Sequence, residues 1–360
     1  MIKLVDRYVG RSALIGVLAV WAGLTLLVAM FTFLDKLGGT EGAALREILV
    51  YVLLKSINGA YIVFPVAALL GAMIGVGGLA AGNELVAFRT AGASRLRLTG
   101  SVLAAVFILS LIVMAIGEFV MPPAEQRAQS LEDTRLDASQ GGSGGRNIWI
   151  RDGADFINIG RSVVYSDDEV TDVTLHEVIR YRFDDEARLA GVDRAKTAVH
   201  DGERWQLANN IRLEIAPDAI DRRVSAEEPW AVSFEPELLT KSLVRPRYMS
   251  IRDILDQMDY LQRNGLDSRA YASVLWTKVL FPFSVLALVL AGMPFLFGSA
   301  RTQNFGVRLF VGMSLGGVYM IVGKTLQNFS EAYDLPSILG AGLPPLVLTV
   351  AVVLVLRRSV

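Results

Sequence analysis

Long uncharged apolar segments occupy both halves of the chain, and a polar region separates them. A hydrocarbon core of about 30 Å takes roughly 20 helical residues to cross. Six uncharged segments approach or exceed that length, at 12–34, 56–83, 98–117, 279–300, 309–323 and 335–356. The fifth is the weakest, because Arg308 interrupts its beginning. The pattern predicts six transmembrane helices, three on each side of the polar region.

The polar region has the shorter period of β-strands. Ile148 and Ile150 alternate before a turn-forming pair at 152–153, and further turn-forming pairs follow at 184–185 and 201–202. Strand segments punctuated at this spacing are typical of an antiparallel sandwich or jelly roll. Ser250 and Asp253 then form a capping box ahead of a helical apolar stripe, which predicts a short amphipathic helix.

These patterns divide the chain into three parts. Residues 1–117 hold the first three membrane helices and a loop at 83–97, residues 118–268 form the β domain with flanking helical segments, and residues 269–360 hold the last three membrane helices. The predicted fold class is a polytopic α-helical membrane protein with six transmembrane helices plus a periplasmic all-β, jelly-roll-like domain.

Positive charge predicts the orientation, because Lys and Arg in short loops favour the cytoplasm. Ten basic residues lie on one predicted side: Lys3, Arg7, Arg11, Arg89, Arg95, Arg97, Arg301, Arg308, Arg357 and Arg358. The opposite short loops hold four, namely Lys36, Arg46, Lys55 and Lys324. Both termini are therefore expected in the cytoplasm and the β domain outside it. That domain has 29 acidic and 19 basic residues, a net charge of −10, which argues against a nucleic-acid partner.

The motif search predicts no catalytic, metal or cofactor site in this chain. Gly323 and Lys324 resemble the end of a phosphate-binding P-loop, but the glycine that must precede them is absent at position 318. Gly71, Gly75, Gly78 and Gly82 recur at helical spacing and favour close helix packing. Lys278 lies near the end of a predicted span, where a substrate-facing role and simple snorkelling to the interface remain equally open.

Several motifs together resemble the lipopolysaccharide-export permeases of the LptF/LptG family. They comprise LVDRYVG at 4–10, FPVAALLG at 64–71, NELV at 83–86, AIGE at 115–118, Trp276 and Lys278 before Pro282, and Phe297-Gly298 followed by Arg301 and Gly306. The resemblance covers the membrane part and, more loosely, the middle domain. It implies an ABC transporter permease that extracts lipopolysaccharide from the bacterial inner membrane and passes it to a periplasmic bridge toward the outer membrane.

The resemblance also implies the partners. These are an LptF-like second permease subunit, an LptB-like ATPase dimer that binds the ATP and Mg²⁺, an LptC-like single-span protein and an LptA-like bridge. The chain itself would be a transport permease and not an enzyme. Glu84, Leu85 and Arg89 match the family's coupling helix, which docks on the ATPase. A solvated cytoplasmic acid is the alternative for Glu84.

A cavity for lipopolysaccharide should be apolar within the membrane and basic at its outer rim. The residues expected there are Phe64, Tyr319 and Met320 for the wall, and Lys36, Lys278, Arg127 and Arg135 for the rim. Some family members carry a Lys pair where this chain has Gly38-Gly39. Two other functions remain open from the sequence: an ABC permease for another lipid or lipoprotein, and a membrane scaffold or sensor with a periplasmic binding domain.

Overall fold

The computed structural model describes residues 2–39, 44–132, 148–167, 170–184, 186, 188–200, 204–216, 219–230, 245–297 and 305–358. These residues form two compact units, one of helices from both ends of the chain and one centred on a β-sheet from its middle. The helices are α1 (Ile2–Gly39), α2 (Leu45–Ala81), α3 (Glu84–Thr90), α4 (Arg95–Phe119), α5 (Met121–Leu131), α6 (Ile251–Arg263), α7 (Arg269–Val279), α8 (Phe281–Phe297), α9 (Phe305–Ala332) and α10 (Ser337–Arg358).

Within the described ranges, five helices are long and apolar enough to cross a membrane: α1, α2, α4, α9 and α10. Helices α7 and α8 form a sixth candidate span, bent by 56° at the break between them. Pro282 explains this break, because a proline has no N–H to bond the carbonyl one turn earlier. The prediction of a polytopic helical membrane protein with an all-β middle domain is confirmed.

Helix α2 lies at the centre of the helical unit and packs against α1, α4, α8 and α9. Its seam with α1 consists of small residues. A Cβ atom on Gly75 would lie 2.2 Å from the backbone oxygen of Ser12, and the Ser12 hydroxyl donates a hydrogen bond to the Gly75 carbonyl at 2.9 Å. Gly71 is equally enclosed, since its Cβ would lie 2.3 Å from the Val17 Cα. The two backbones approach this closely only because side chains are missing.

Aromatic rings fill the core of the helical unit beside this seam. Phe64 of α2 is fully buried and meets the Trp21 ring edge-on at 5.3 Å. The Trp21 indole N–H also donates to the Ala60 carbonyl at 2.8 Å. Tyr61 stacks on Phe281, the first residue of α8, with ring centroids 4.6 Å apart. These contacts join α1, α2 and α8 into one apolar core.

The sheet unit contains six described strands: β1 (Ile148–Asp152), β2 (Asp155–Asp167), β3 (Val170–Phe183), β4 (Leu189–His200), β5 (Trp205–Ala216) and β6 (Ala219–Trp230). They pair antiparallel in chain order, so each strand neighbours the strands that precede and follow it. Gly153 lies in the β1–β2 turn with φ +62°, a conformation that favours glycine. The sheet's apolar core includes Ile157, Leu175 and Trp205.

A charged cluster lies beside the apolar residues of the sheet. The Asp193 side chain is 2% exposed, and Arg212 Nε donates to its Oδ1 at 3.0 Å. Arg182 Nε approaches Oδ2 at 3.4 Å, an ion pair without a well-formed hydrogen bond. Arg212 also pairs with Glu228 at 2.7 Å. The buried carboxylate is thus compensated by guanidinium groups on neighbouring strands.

Helix α6 begins and ends as its sequence predicts. The Ser250 hydroxyl accepts a hydrogen bond from the Asp253 N–H at 3.1 Å and donates to its carboxylate at 2.6 Å. At the other end Gly265 has φ +64°, and the Leu266 N–H bonds the Leu261 carbonyl at 2.8 Å. This glycine-based motif ends the helix and gives the Leu261 carbonyl in its last turn a hydrogen-bond donor.

Candidate functional site

The short helix α3 is held in place at both ends. Asn83 precedes it with φ 59° and Gly92 follows it with φ +93°, so the chain reverses sharply on each side. Leu85 is buried at 4% exposure and anchors the helix to the apolar core. Val86 and Arg89 are exposed. Helix α3 is thus anchored by Leu85 and exposes the side chains of Val86 and Arg89.

Helix α1 supports α3 through Tyr8. Its ring contacts Phe88 edge-on at 6.1 Å, and its hydroxyl lies near the Glu84 carboxylate. Glu84 is therefore engaged within the chain and is only partly exposed. The predicted coupling residues Glu84, Leu85 and Arg89 lie on one helix that is tied to the first span. No pattern in the sequence predicted that Tyr8 would connect α1 to α3.

A bidentate ion pair joins the first and third spans next to this helix. Arg97 of α4 donates from Nε to Asp6 Oδ1 at 3.1 Å and from a second nitrogen to Oδ2 at 2.7 Å. The Ser101 hydroxyl adds a hydrogen bond to Asp6 at 3.0 Å. Two parallel bonds fix the direction as well as the distance between the partners. The pair thus holds the start of α1 against the start of α4, next to α3.

Two lysines meet at one tyrosine at the opposite end of α2. Lys36 Nζ lies 5.3 Å from the centre of the Tyr51 ring, and Lys55 Nζ lies 5.9 Å from it. Lys55 also pairs at 2.5 Å with Glu125 of α5, whose side chain is fully buried. The predicted rim residue Lys36 therefore has a second basic residue nearby, which the sequence did not single out. Arg127 of α5 is exposed, and Arg135 lies outside the described residues.

The predicted apolar wall is partly closed. Phe64 is fully buried among Trp21 and Phe281, and Tyr319 packs against the same core. Met320 is 43% exposed and so faces away from that core. Phe64 and Tyr319 thus share one apolar core, whereas Met320 does not belong to it. Any cavity lined by Phe64 requires its aromatic neighbours to move apart.

Lys278 is buried and does not snorkel. Its side chain is 6% exposed, and Nζ lies 2.5 Å from the Met249 carbonyl oxygen and 3.6 Å from Glu118 Oε2. The carbonyl of Gly117 is a third neighbour at 3.5 Å. The fold brings these oxygens to Lys278 from two distant parts of the chain.

Apolar spanning helices packed through glycine seams, together with a separate β-sheet unit, define a multi-pass membrane protein. Comparison with known proteins gives the family. The model for "Lipopolysaccharide export system permease LptF/LptG" matches residues 7–358. The lipopolysaccharide export system permease protein LptG of Escherichia coli K12 is 31% identical over 348 residues, which cover 94% of each chain. LptG of Haemophilus influenzae is 31% identical over 367 residues, covering 100% of this chain and 99% of the relative.

The chain belongs to the LptF/LptG family and is a lipopolysaccharide export permease. This membership decides between the functions that the sequence patterns left open, because it favours lipopolysaccharide over another lipid and a permease over a scaffold.

Proposed function

We propose that this permease is a membrane subunit of an ABC exporter in the bacterial inner membrane. ATP is hydrolysed by a separate LptB-like ATPase dimer, and the spanning helices use that work to extract lipopolysaccharide. An LptF-like subunit completes the membrane part, an LptC-like single-span protein joins it, and the lipid passes to an LptA-like bridge toward the outer membrane. No cofactor is expected in this chain, since ATP and Mg²⁺ belong to the ATPase.

The geometry of α3 carries this proposal. Its exposed side, with Val86 and Arg89, is available to a partner, while Leu85 and Phe88 fix it to the helical unit. A partner that pushes on α3 moves α1 and α4 as well, through Tyr8 and the Asp6–Arg97 pair. That is the mechanical behaviour a coupling helix needs.

Charge supports an orientation with α3 and both termini in the cytoplasm. The basic residues of the 83–97 loop, the N-terminus and the C-terminal tail lie on one side of the predicted topology. ATP is cytoplasmic, so the ATPase meets α3 on that side. The β-sheet unit then lies in the periplasm, where the lipid leaves.

The opposite end of the helical unit has the chemistry for a phosphorylated lipid. Lys36, beside Tyr51, and the exposed Arg127 offer cations to anionic phosphates, whereas Lys55 is already paired with the buried Glu125. Tyr319, Met320 and Phe64 offer apolar surface for acyl chains. Phe64 becomes available only when its contacts with Trp21 and Phe281 open. Lipid entry and helix separation would then be the same event.

The test is ATP-dependent release of lipopolysaccharide from proteoliposomes that contain the complete complex. Glu84→Lys removes the carboxylate that lies near the Tyr8 hydroxyl and reverses a charge on α3. We expect release to fall by roughly tenfold, within the usual range of coupling between sites. Tyr8→Phe should produce a smaller loss, because it keeps the ring contact with Phe88.

Glu186→Lys is the control, since Glu186 is an exposed acid in a turn of the sheet unit. It should transport as the wild type does. A wild-type complex that releases no lipopolysaccharide with ATP would overturn the proposed function. Undiminished release by the Glu84→Lys variant would instead contradict a role of Glu84 and α3 in coupling to the ATPase.

A further inference from the structure

Lys278 is the last but one residue of α7, directly before the 56° break of the fourth span. Its ammonium group has three N–H donors and three oxygen neighbours, from Met249, Gly117 and Glu118. One donor bonds the Met249 carbonyl, and the other two oxygens lie 3.5 and 3.6 Å away, so the ammonium faces the protein. A side chain that is 6% exposed and surrounded in this way is not presented to a lipid phosphate.

Glu118 completes the arrangement. One of its carboxylate oxygens faces Lys278 at 3.6 Å, and the other accepts the Ile251 N–H at 2.6 Å. Glu118 lies in the last turn of α4, ahead of α5, and Met249 and Ile251 lie in segment 246–254, which belongs to the helical unit and leads into the part of α6 that belongs to the sheet unit. The ion pair thus fastens the end of α4 and the start of α6 to α7.

Helix α7 is also tied to the fifth span. The Gln327 side-chain amide of α9 donates to the Thr277 hydroxyl at 3.0 Å, and Arg269 at the start of α7 pairs with Asp334 just beyond α9. After the break, α8 packs in the central apolar core of the helical unit, where Leu288 is fully buried. The short helix α7 is therefore linked to α9, to the end of α4 and to the start of α6. The proline break separates it from α8, the other half of the fourth span.

We propose that Lys278 is a positioning residue, which couples movement of the fourth and fifth spans to the end of α4 and to the start of α6, the helix that continues into the β-sheet unit. When the spans move during transport, α7 pivots at the break and carries Met249 and Glu118 with it. The pair transmits the state of the helical unit to the segment that passes lipid onward. This inference rests on the proposed function, because it assigns a step within the same transport cycle.

The test separates coupling from stability. Lys278→Met alone would leave Glu118 buried without a counter-charge and would destabilise the fold. The double variant Glu118→Gln with Lys278→Met removes both charges, and the glutamine oxygen can still accept the Ile251 N–H. We measure thermal stability, ATP hydrolysis, and lipopolysaccharide passed to a soluble acceptor by the complete complex in proteoliposomes.

The double variant should assemble, melt near the wild type and hydrolyse ATP at a similar rate, while lipopolysaccharide delivered per ATP falls by roughly tenfold. Lys278→Arg, which keeps the charge, should recover part of this coupling. Arg263→Met serves as the control, because Arg263 forms an exposed ion pair with Asp259 on α6.

Three results would overturn the inference: unchanged delivery per ATP in the double variant, equal losses of hydrolysis and delivery, and failure of that variant to assemble. The last two would make the pair a structural requirement only. Absence of ATP-dependent delivery in the wild-type complex would instead contradict the proposed function, so the two failures are distinguishable.

Discussion

The helical unit and the sheet unit solve the problem of a packed interior in opposite ways. Between α1 and α2 the helical unit brings backbones together by omitting side chains at Gly71 and Gly75. The sheet unit instead buries a carboxylate, Asp193, between Arg182 and Arg212. In a bilayer the lipid tails are as apolar as leucine, so close packing must supply the attraction between helices. In water a sheet gains from burying apolar area and can carry compensated charges beside it.

The largest expected effect is a break in the helical seam by a single methyl group. Gly75→Ala places a Cβ 2.2 Å from the Ser12 backbone oxygen, which cannot move without shifting α1. Overpacking typically costs about 1–3 kcal/mol, and the cost here lies above that range because the new Cβ meets backbone atoms rather than the end of a flexible side chain. We expect most of the folded, monodisperse protein to disappear in detergent size-exclusion chromatography.

Gly78→Ala is the matched control on the same helix. No described atom lies within 4 Å of a Cβ at that position. Alanine is also favoured over glycine in a helix by about 1 kcal/mol. Normal or slightly higher yield is expected, and equal loss in both variants would contradict packing as the cause.

A medium effect is expected from removing the buried carboxylate of the sheet. Asp193→Leu leaves two arginines without their shared partner, and breaking such a pair costs about 3 kcal/mol, at the lower end of the usual range because both guanidinium groups are partly exposed. Limited proteolysis of the full-length protein in detergent should cleave strands β4 and β5 much faster.

Asp221→Leu provides the comparison within the same sheet. Asp221 is 62% exposed and pairs with an equally exposed Arg223. The change in stability should stay within about 0.5 kcal/mol. Equal rates of proteolysis of the two variants would contradict burial of the Asp193 charge as the cause of the larger loss of stability.

The smallest effect concerns α6, whose first turn belongs to the helical unit and whose remainder belongs to the sheet unit. Ser250→Ala removes the oxygen that accepts the Asp253 N–H. Loss of such a cap costs about 1 kcal/mol, and Ser250→Asp should retain it. Hydrogen exchange should accelerate in the first turn of α6 only. Faster exchange throughout the helix would mean that the cap supports both units.

Regular patterns explain how much of the fold could be predicted. The uncharged segments predicted six spans, although α1 extends well beyond its segment, from Ile2 to Gly39. Strand β1 and its turn at Gly153 followed from alternation and turn chemistry. Strand β6 could not be singled out, because nearly all of its residues are exposed and no apolar alternation marks it.

Long-range contacts explain why the candidate site was less predictable. Gly71 and Gly75 were expected to pack, and they do, but spacing alone could not exclude Gly78. For Lys278 the sequence left two roles open. Its neighbours Met249 and Gly117 lie 29 and 161 residues away, so only the folded chain reveals a third role within the protein.

The order of strands in the sheet has a consequence for how the chain is made. Each strand pairs with the one synthesised just before it, and contacts that are local in sequence form quickly. The sheet can therefore be complete while the last three spans are still on the ribosome. Lys278 emerges after both segments that it binds, so its ion pair closes last. Assembly would then pass through a state in which the sheet has formed but Lys278 has not yet bound the end of α4 and the start of α6. A quality-control protease would have most access to the chain at that stage.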